Sequence, residues 1–314
     1  MLDMISRAGR SPRRFPGTAY GLMASRKLNG VVGEHFAGWF EKGRDGAFPR
    51  ARCQRDLMAG STITAWGAAL PEQVVTNADL ERRFDTTDSW IVSRTGIRTR
   101  HVRGTTSGLA VEAARHALDQ GGIDPRQVDF LIVSTNTPDL AVPAVAALVQ
   151  HELGLSCGVF DLSAGCSSFV YALLVADGLV SIGSGRVLVV ASDTVSRIVD
   201  PLDRSMAVLF GDGAAASVLE SSPGTRAVLG WDIGADGSLA SILYQKQGEY
   251  LRMNGQEVYR RAVRVAVGSA TAALENFAVS PGVISVAAHR RTPSPARSYA
   301  EADGRTGSSA KIRR

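Results

Sequence analysis

The sequence has little of what metal sites and disulfide frameworks are built from. Its 314 residues contain three cysteines and five histidines. Cys53, Cys157 and Cys166 have neither the density of a disulfide scaffold nor paired metal-ligand spacing, so reduced thiols are expected and no metal site is. No apolar run is long enough to span a bilayer, and the N-terminus lacks the apolar stretch of a secretory signal, so a cytoplasmic protein is expected. The 45% of apolar residues can fill a sizeable core of one large domain or two ordinary ones.

Charge is unevenly placed. Residues 1–58 carry 11 Lys+Arg against 5 Asp+Glu, and residues 283–314 carry 7 against 2. The stretch between them holds 17 against 23 and is acidic, although the whole chain is at +5. The basic ends lack periodic structure and interleaved aromatics, which sets aside a nucleic-acid reading of the high isoelectric point.

From Ser61 the sequence alternates strand and helix signals. Val111 to Leu118 is expected to be helical, Val128 to Val133 a buried strand, Pro143 to Leu153 helical and Arg186 to Ala191 a second buried strand. Gly211-Asp212-Gly213 reads as a turn into a small-residue strand, Ala214 to Leu219. A second half begins near Thr225 to Trp231. In it, Val258, Ala262, Val265, Ala266, Ala273 and Phe277 mark one face of a helix. After Gly282 the chain turns to Arg, Ser, Ala and Pro without a further core face.

The most informative stretch is Asp161-Leu162-Ser163-Ala164-Gly165-Cys166-Ser167-Ser168-Phe169. Gly158-Val159-Phe160 reads as the end of a buried strand, small residues make a tight turn, and Phe169, Val170, Leu173 and Leu174 recur at helical spacing. Cys166 is thus expected to open a helix, where unpaired N–H groups favour the attacking thiolate. The alternative is a small, soft side chain filling a crowded strand-to-helix junction. Cys157, in the turn before the strand, is expected to be of that second kind.

Between roughly Ala59 and Gly282 the chain resembles a β-ketoacyl-acyl carrier protein synthase III, a condensing enzyme of the thiolase superfamily. Four ordered motifs carry the resemblance: Thr86-Thr87-Asp88-Ser89-Trp90-Ile91-Val92-Ser93-Arg94-Thr95-Gly96-Ile97, the Cys166 segment, Leu209-Phe210-Gly211-Asp212-Gly213-Ala214-Ala215-Ala216, and Met253-Asn254-Gly255-Gln256-Glu257-Val258-Tyr259. The resemblance implies an α/β fold, the five-layered α-β-α-β-α thiolase architecture, with the second half incomplete. Residues 59–222 would form the first half and 223–282 part of the second. Residues 1–58 would be an extension expected to be disordered, and 283–314 a basic tail foreign to the family, an out-of-frame reading or a truncated paralogue.

Function by resemblance is acyl transfer from acyl-CoA to Cys166, then decarboxylative condensation with malonyl-acyl carrier protein in fatty-acid or polyketide initiation. It implies a homodimer with no cofactor, no metal, no nucleic acid and no membrane. Trp90 and Arg204 match the family's adenine-sandwich positions and Arg94 a CoA-contacting arginine; guanidinium and indole faces suit a purine and its phosphates. The structural alternatives are core packing for Trp90 and a solvated loop charge for Arg204. His289 falls near the family's catalytic histidine, but Arg290-Arg291-Thr292 follows it and breaks the His-Gln-Ala-Asn motif. Asn276 is the last asparagine in the sequence, so the family's asparagine has no match, and its final glycine-rich hairpin is missing too. Each absent oxyanion donor costs about 10²–10³ in rate, so impaired condensation is expected, with self-acylation of Cys166 the less demanding step. Two alternatives follow: an acyltransferase of the same fold that does not condense, and a catalytically inactive chain.

Overall fold

The computed structural model describes residues 60–222 and 228–278. Cys53, His289, the N-terminal extension, the tail after Gly282 and residues 225–227 of the expected second-half boundary lie outside the described residues. Within them the chain runs through β1 (Gly60–Ala69), β2 (Gln73–Thr76), α1 (Asn77–Glu81), α2 (Asp88–Thr95), β3 (Thr99–Val102), α3 (Thr106–Gly121) and β4 (Phe130–Ser134). It continues through α4 (Val145–Leu153), β5 (Gly158–Leu162), α5 (Ser168–Ser181), β6 (Arg186–Thr194), α6 (Arg204–Ala207) and β7 (Asp212–Ser222). After the break come β8 (Leu243–Tyr244), β9 (Arg252–Met253) and α7 (Gly255–Asn276).

Five strands form one mixed sheet in the order β1-β7-β6-β4-β5. β4 runs parallel to both β5 and β6, while β7 is antiparallel to β6 and β1. The centre of this sheet is buried on both faces, which is why Leu131-Ile132-Val133 and Val187-Leu188-Val189-Val190 read as continuous apolar runs and do not alternate.

One face packs against α3 and α4. Leu109, Ala110, Ala113, Ala114, Ala117 and Leu118 of α3, with Val145, Ala146 and Val149 of α4, meet Leu131, Val133, Leu188, Val190 and Val218. Small residues let α3 lie close to β1. A Cβ on Gly67 would stand 2.3 Å from the Ala113 carbonyl oxygen and 2.4 Å from the Ala117 nitrogen, so only glycine fits. The opposite face packs Ala172, Ala176 and Val180 of α5 onto Ile132, Val187, Val189 and Leu219. The resulting helix–sheet–helix sandwich is the layered α/β arrangement that the alternating signals imply.

Several boundaries shift for physical reasons. The expected strand from Val128 starts at Phe130, and a 3-10 turn at Pro125–Gln127, capped by Asp124, precedes it. Pro143 lies outside α4: the Val142–Pro143 bond is cis, and the helix begins at Val145. The Asp161 carboxylate at the end of β5 accepts from the Val145 and Ala146 N–H groups, each at 2.7 Å, satisfying donors that a helix start leaves open. Gly211-Asp212-Gly213 is not a simple turn. Asp212 opens β7, is buried, and accepts from the Ser196 N–H and Oγ at 2.8 and 2.7 Å and from the Gly104 N–H at 3.2 Å.

Residues 228–231, expected to open a second half, carry no regular secondary structure. The long helix is present, with Asn254 as its N-cap accepting from the Glu257 N–H, and Ala272 is its one buried residue. Among the described residues no helix is long and apolar enough to cross a membrane.

Candidate active site

In an open sheet with parallel strands, loops leaving the carboxyl ends of those strands converge and form the natural place for a site. Here the ends of β4, β5 and β6 supply three such loops. The loop after β5 carries Cys166, the loop after β4 carries Asn136, and Asp193 is the penultimate residue of β6.

Cys166 is exposed. It does not itself open the helix: α5 begins at Ser168, with Ser167 as its N-cap and no side-chain capping bond. The sulfur therefore sits two residues before the first helical residue, and the turn exposes it as expected. That turn depends on Gly165, whose φ of +60° is the left-handed region where a Cβ is strained.

A web of hydrogen bonds fixes the turn. The Asn136 Oδ1 accepts from the Gly165 N–H at 3.1 Å and from the Ser163 hydroxyl at 2.9 Å, while Nδ2 donates to the Gly165 carbonyl at 3.2 Å. Ser168 completes the clamp. Its hydroxyl accepts from the Ala164 N–H at 2.6 Å and donates to the Gly165 carbonyl at 2.7 Å. The Asp193 carboxylate in turn accepts from the Asn136 N–H at 2.7 Å and the Thr137 hydroxyl at 3.1 Å. Asn136, Ser168 and Asp193 were invisible to sequence reasoning, because each is an ordinary polar residue until the parallel register places the three strand ends together.

Cys157 is half-buried, packs against the α3/α4 core, and its thiol is pushed up by burial and by the Asp129 charge. This matches the expected space-filling role. Cys53 lies outside the described residues.

The structure brings Trp90 and Arg204 together across two elements. Trp90 stands on α2, whose N-cap Thr87 accepts from the Trp90 N–H, and Arg204 is the first residue of α6. The Arg204 guanidinium carbon lies 5.2 Å from the centre of the Trp90 ring, within cation–π reach. At 39% exposure Trp90 is not a core residue. Arg204 is not a loose surface charge either, since its guanidinium donates to the Asp85 carbonyl at 2.7 Å. Because the guanidinium already covers the indole, a flat base could be sandwiched only if the pair parted. Arg94 is exposed one turn after Trp90 on α2, where i and i+4 residues share a face. A small core of Leu80, Ile91 and Val208, with Leu209 against it, ties α1 and α2 to the segment after α6. Buried Arg100 strengthens that tie by donating to the Val208 carbonyl. Among the described residues no cluster of His, Cys, Asp and Glu could hold a metal ion.

Comparison with known proteins agrees with this architecture. The family model of 3-oxoacyl-[acyl-carrier-protein (ACP)] synthase III matches residues 160–237, a span that includes Cys166 and Arg204. The β-ketoacyl-[acyl-carrier-protein] synthase III of Novosphingobium aromaticivorans is 45% identical over 221 residues, covering 65% of this chain and 68% of that protein. The crystal structure of 3-oxoacyl-[acyl-carrier-protein] synthase III from Aquifex aeolicus superposes with a TM-score of 0.74 at 38% identity, over 77% of this chain and 80% of that one. The priming β-ketosynthase of the R1128 polyketide biosynthetic pathway gives 0.67 at 34% identity, over 73% and 74%. With a thiolase-like fold and this degree of identity over more than two thirds of its relatives, the chain belongs to the β-ketoacyl-acyl carrier protein synthase III family.

Proposed function

We propose that this chain is an acyltransferase of the 3-oxoacyl-acyl carrier protein synthase III type, acting at the initiation of fatty-acid or polyketide synthesis. The observation that carries the reading is the exposed Cys166 sulfur, held on a clamped, glycine-dependent turn where the parallel strands end. In the first step the Cys166 thiolate attacks the thioester carbonyl of an acyl-CoA. A carbon–sulfur bond forms to Cys166, the bond to CoA breaks, and its electron pair leaves with the CoA thiolate. In the second, malonyl-acyl carrier protein loses carbon dioxide, and the resulting carbanion takes the acyl group from Cys166, freeing the thiolate.

Trp90, Arg94 and Arg204 are the proposed CoA contacts. They offer an aromatic face and two guanidinium groups to an adenine ring and its phosphates. His289 is the proposed donor to the oxyanion of the decarboxylation step, within a motif that departs from the family's. Acylation is accordingly the faster half of the reaction and condensation the slower. The reading includes a cytoplasmic homodimer, a first half formed by residues 59–222 and a partial second half by 223–282.

The test is the intact mass of the protein after incubation with short acyl-CoAs, beside Cys166→Ala. A gain of one acyl group that the variant lacks supports the reading, and release of carbon dioxide from malonyl-acyl carrier protein extends it to condensation. Acylation followed by transfer to a small hydroxyl or amine without carbon dioxide would replace condensation with simple acyl transfer. No acylation would refute both.

A further inference from the structure

In the polar clamp around the Cys166 turn, Asn136 bonds the backbone on both sides of Gly165. Asn136 spends both ends of its carboxamide on the peptide groups that flank Gly165: Oδ1 on the Gly165 N–H at 3.1 Å and Nδ2 on the Gly165 carbonyl at 3.2 Å. That carbonyl belongs to the Gly165–Cys166 peptide. In a planar trans peptide the carbonyl and the following N–H point in opposite directions. Fixing the Gly165 carbonyl toward Asn136 and the Ser168 hydroxyl therefore turns the Cys166 N–H away from the clamp.

The Cys166 N–H is the backbone donor closest in the chain to the sulfur. When that sulfur attacks a thioester, the negative charge developing on the carbonyl oxygen needs a donor already in place. A glycine at φ +60° has broad conformational freedom, and a rotation of the Gly165–Cys166 peptide would swing the donor aside. Ser168 holds the Gly165 carbonyl from the helix side through its hydroxyl at 2.7 Å and its N–H at 3.2 Å, and Asn136 ties that carbonyl to the Gly165 N–H, which restrains both peptides of the glycine at once. Asn136 is itself held: its N–H donates to the Asp193 carboxylate at 2.7 Å, at the end of the neighbouring strand β6.

We infer that Asn136 is a positioning residue for acyl transfer at Cys166, orienting the Gly165–Cys166 peptide so that the Cys166 N–H meets the oxyanion. The inference rests on the reading of Cys166 as the acyl-accepting nucleophile. Asn136 touches neither substrate nor sulfur in this role and acts only through the peptide.

Two reactions of the same sulfur separate positioning from mere support. Acylation by an acyl-CoA builds an oxyanion, whereas alkylation by iodoacetamide displaces iodide and builds none. Both are followed at the Cys166 peptide by mass spectrometry in the full chain, for the parent, Asn136→Ala and Asn136→Ser. Asn136→Ala is expected to lower the acylation rate at saturating acyl-CoA by about tenfold to a hundredfold, the scale of a small misplacement in an active site. Its KM and its alkylation rate are expected to stay unchanged. Asn136→Ser keeps one hydroxyl that can donate or accept, and should fall between. Acylation as fast in Asn136→Ala as in the parent would overturn the positioning role and leave Cys166 as the nucleophile. Equal losses in acylation and alkylation, in both variants, would reduce Asn136 to a structural support. A parent chain that alkylates at Cys166 but takes no acyl group would overturn the nucleophile reading, and the positioning role with it.

Discussion

Residues 60–222 and 228–278 are both rich in apolar side chains, yet nearly all burial falls in the first region. Every fully covered large side chain lies there, including Leu80, Ile91, Leu131, Ile132, Leu188 and Leu219, whereas the second region contributes Ala272. The contrast is sharpest in α7. Its apolar residues recur at helical spacing, but Val265 is 66% exposed and Tyr259 46%. A periodic face makes a helix amphipathic; only a partner surface converts that face into stability.

The largest effect should come from testing this contrast directly. Leu131→Ala, in the sheet centre against α3 and α4, is expected to cost about 2–5 kcal/mol. Val265→Ala, on α7, should stay within about 0.5 kcal/mol. Denaturant melts of the two variants decide the matter, and comparable losses would show that α7 has a packing partner. Amide hydrogen exchange sharpens it further, since β4 and β6 should open only with global unfolding while α7 opens locally.

The same contrast explains how much could be read in advance. The strands around Val133 and Val190 were legible as short continuous apolar runs, which their burial on both faces requires, and α3 by a helical period that matches its buried face. The cysteine turn was legible because small residues interrupt two apolar patterns. Asn136 and Asp193 were not, because what joins them is the register of β4 against β6, which no local pattern encodes. The role of Asp212 was hidden for the same reason: Gly-Asp-Gly is ordinary turn chemistry, and its three hydrogen bonds come from residues 104 and 196. α5 begins two residues later than its sequence signal because Ser167 resembles the strand-to-helix turn before it as much as the helix after it.

A smaller loss is expected from Asp212→Ala. Three donors would lose their acceptor, two of them from Ser196, in a position only 5% exposed. Leaving such groups without partners costs about 1–3 kcal/mol. A drop of that size in denaturant stability, with amide hydrogen exchange in α7 unchanged, would locate the effect in the first region. No drop would mean that the donors find other acceptors.

Asp139 links stability to pH within the same region. Burial pushes its carboxyl up, but the Ser107 and Thr106 N–H groups and the Arg197 guanidinium outweigh this and hold it below the ordinary value. For a depressed carboxyl, the stabilising contribution is complete above the unfolded pKa and is lost as pH falls through the folded one. Asp139→Asn should therefore lower the melting temperature at neutral pH, and the gap to the parent should close as the pH drops below about 4. A gap that stayed constant across this range would assign the effect to packing and not to charge.

The smallest effect belongs at the surface of the first region, where Trp90 and Arg204 stack in the open. The pair is too exposed to matter much for folding, so its substitution separates binding from stability. Trp90→Ala removes the aromatic face of the proposed CoA contact, and losing one such exposed stacking contact of about 0.5–1 kcal/mol raises KM for acyl-CoA roughly two- to fivefold. The rate of Cys166 acylation at saturating acyl-CoA should hold, because the reacting carbonyl is bound elsewhere on the ligand. Arg204→Ala should act in the same direction, and the double variant should lose less than the sum, since each single change already breaks the stack. A fall in the saturated rate with KM unmoved would place Trp90 in support of the cysteine turn, through the Leu80, Ile91 and Val208 core beneath α2, and would remove it from the CoA site.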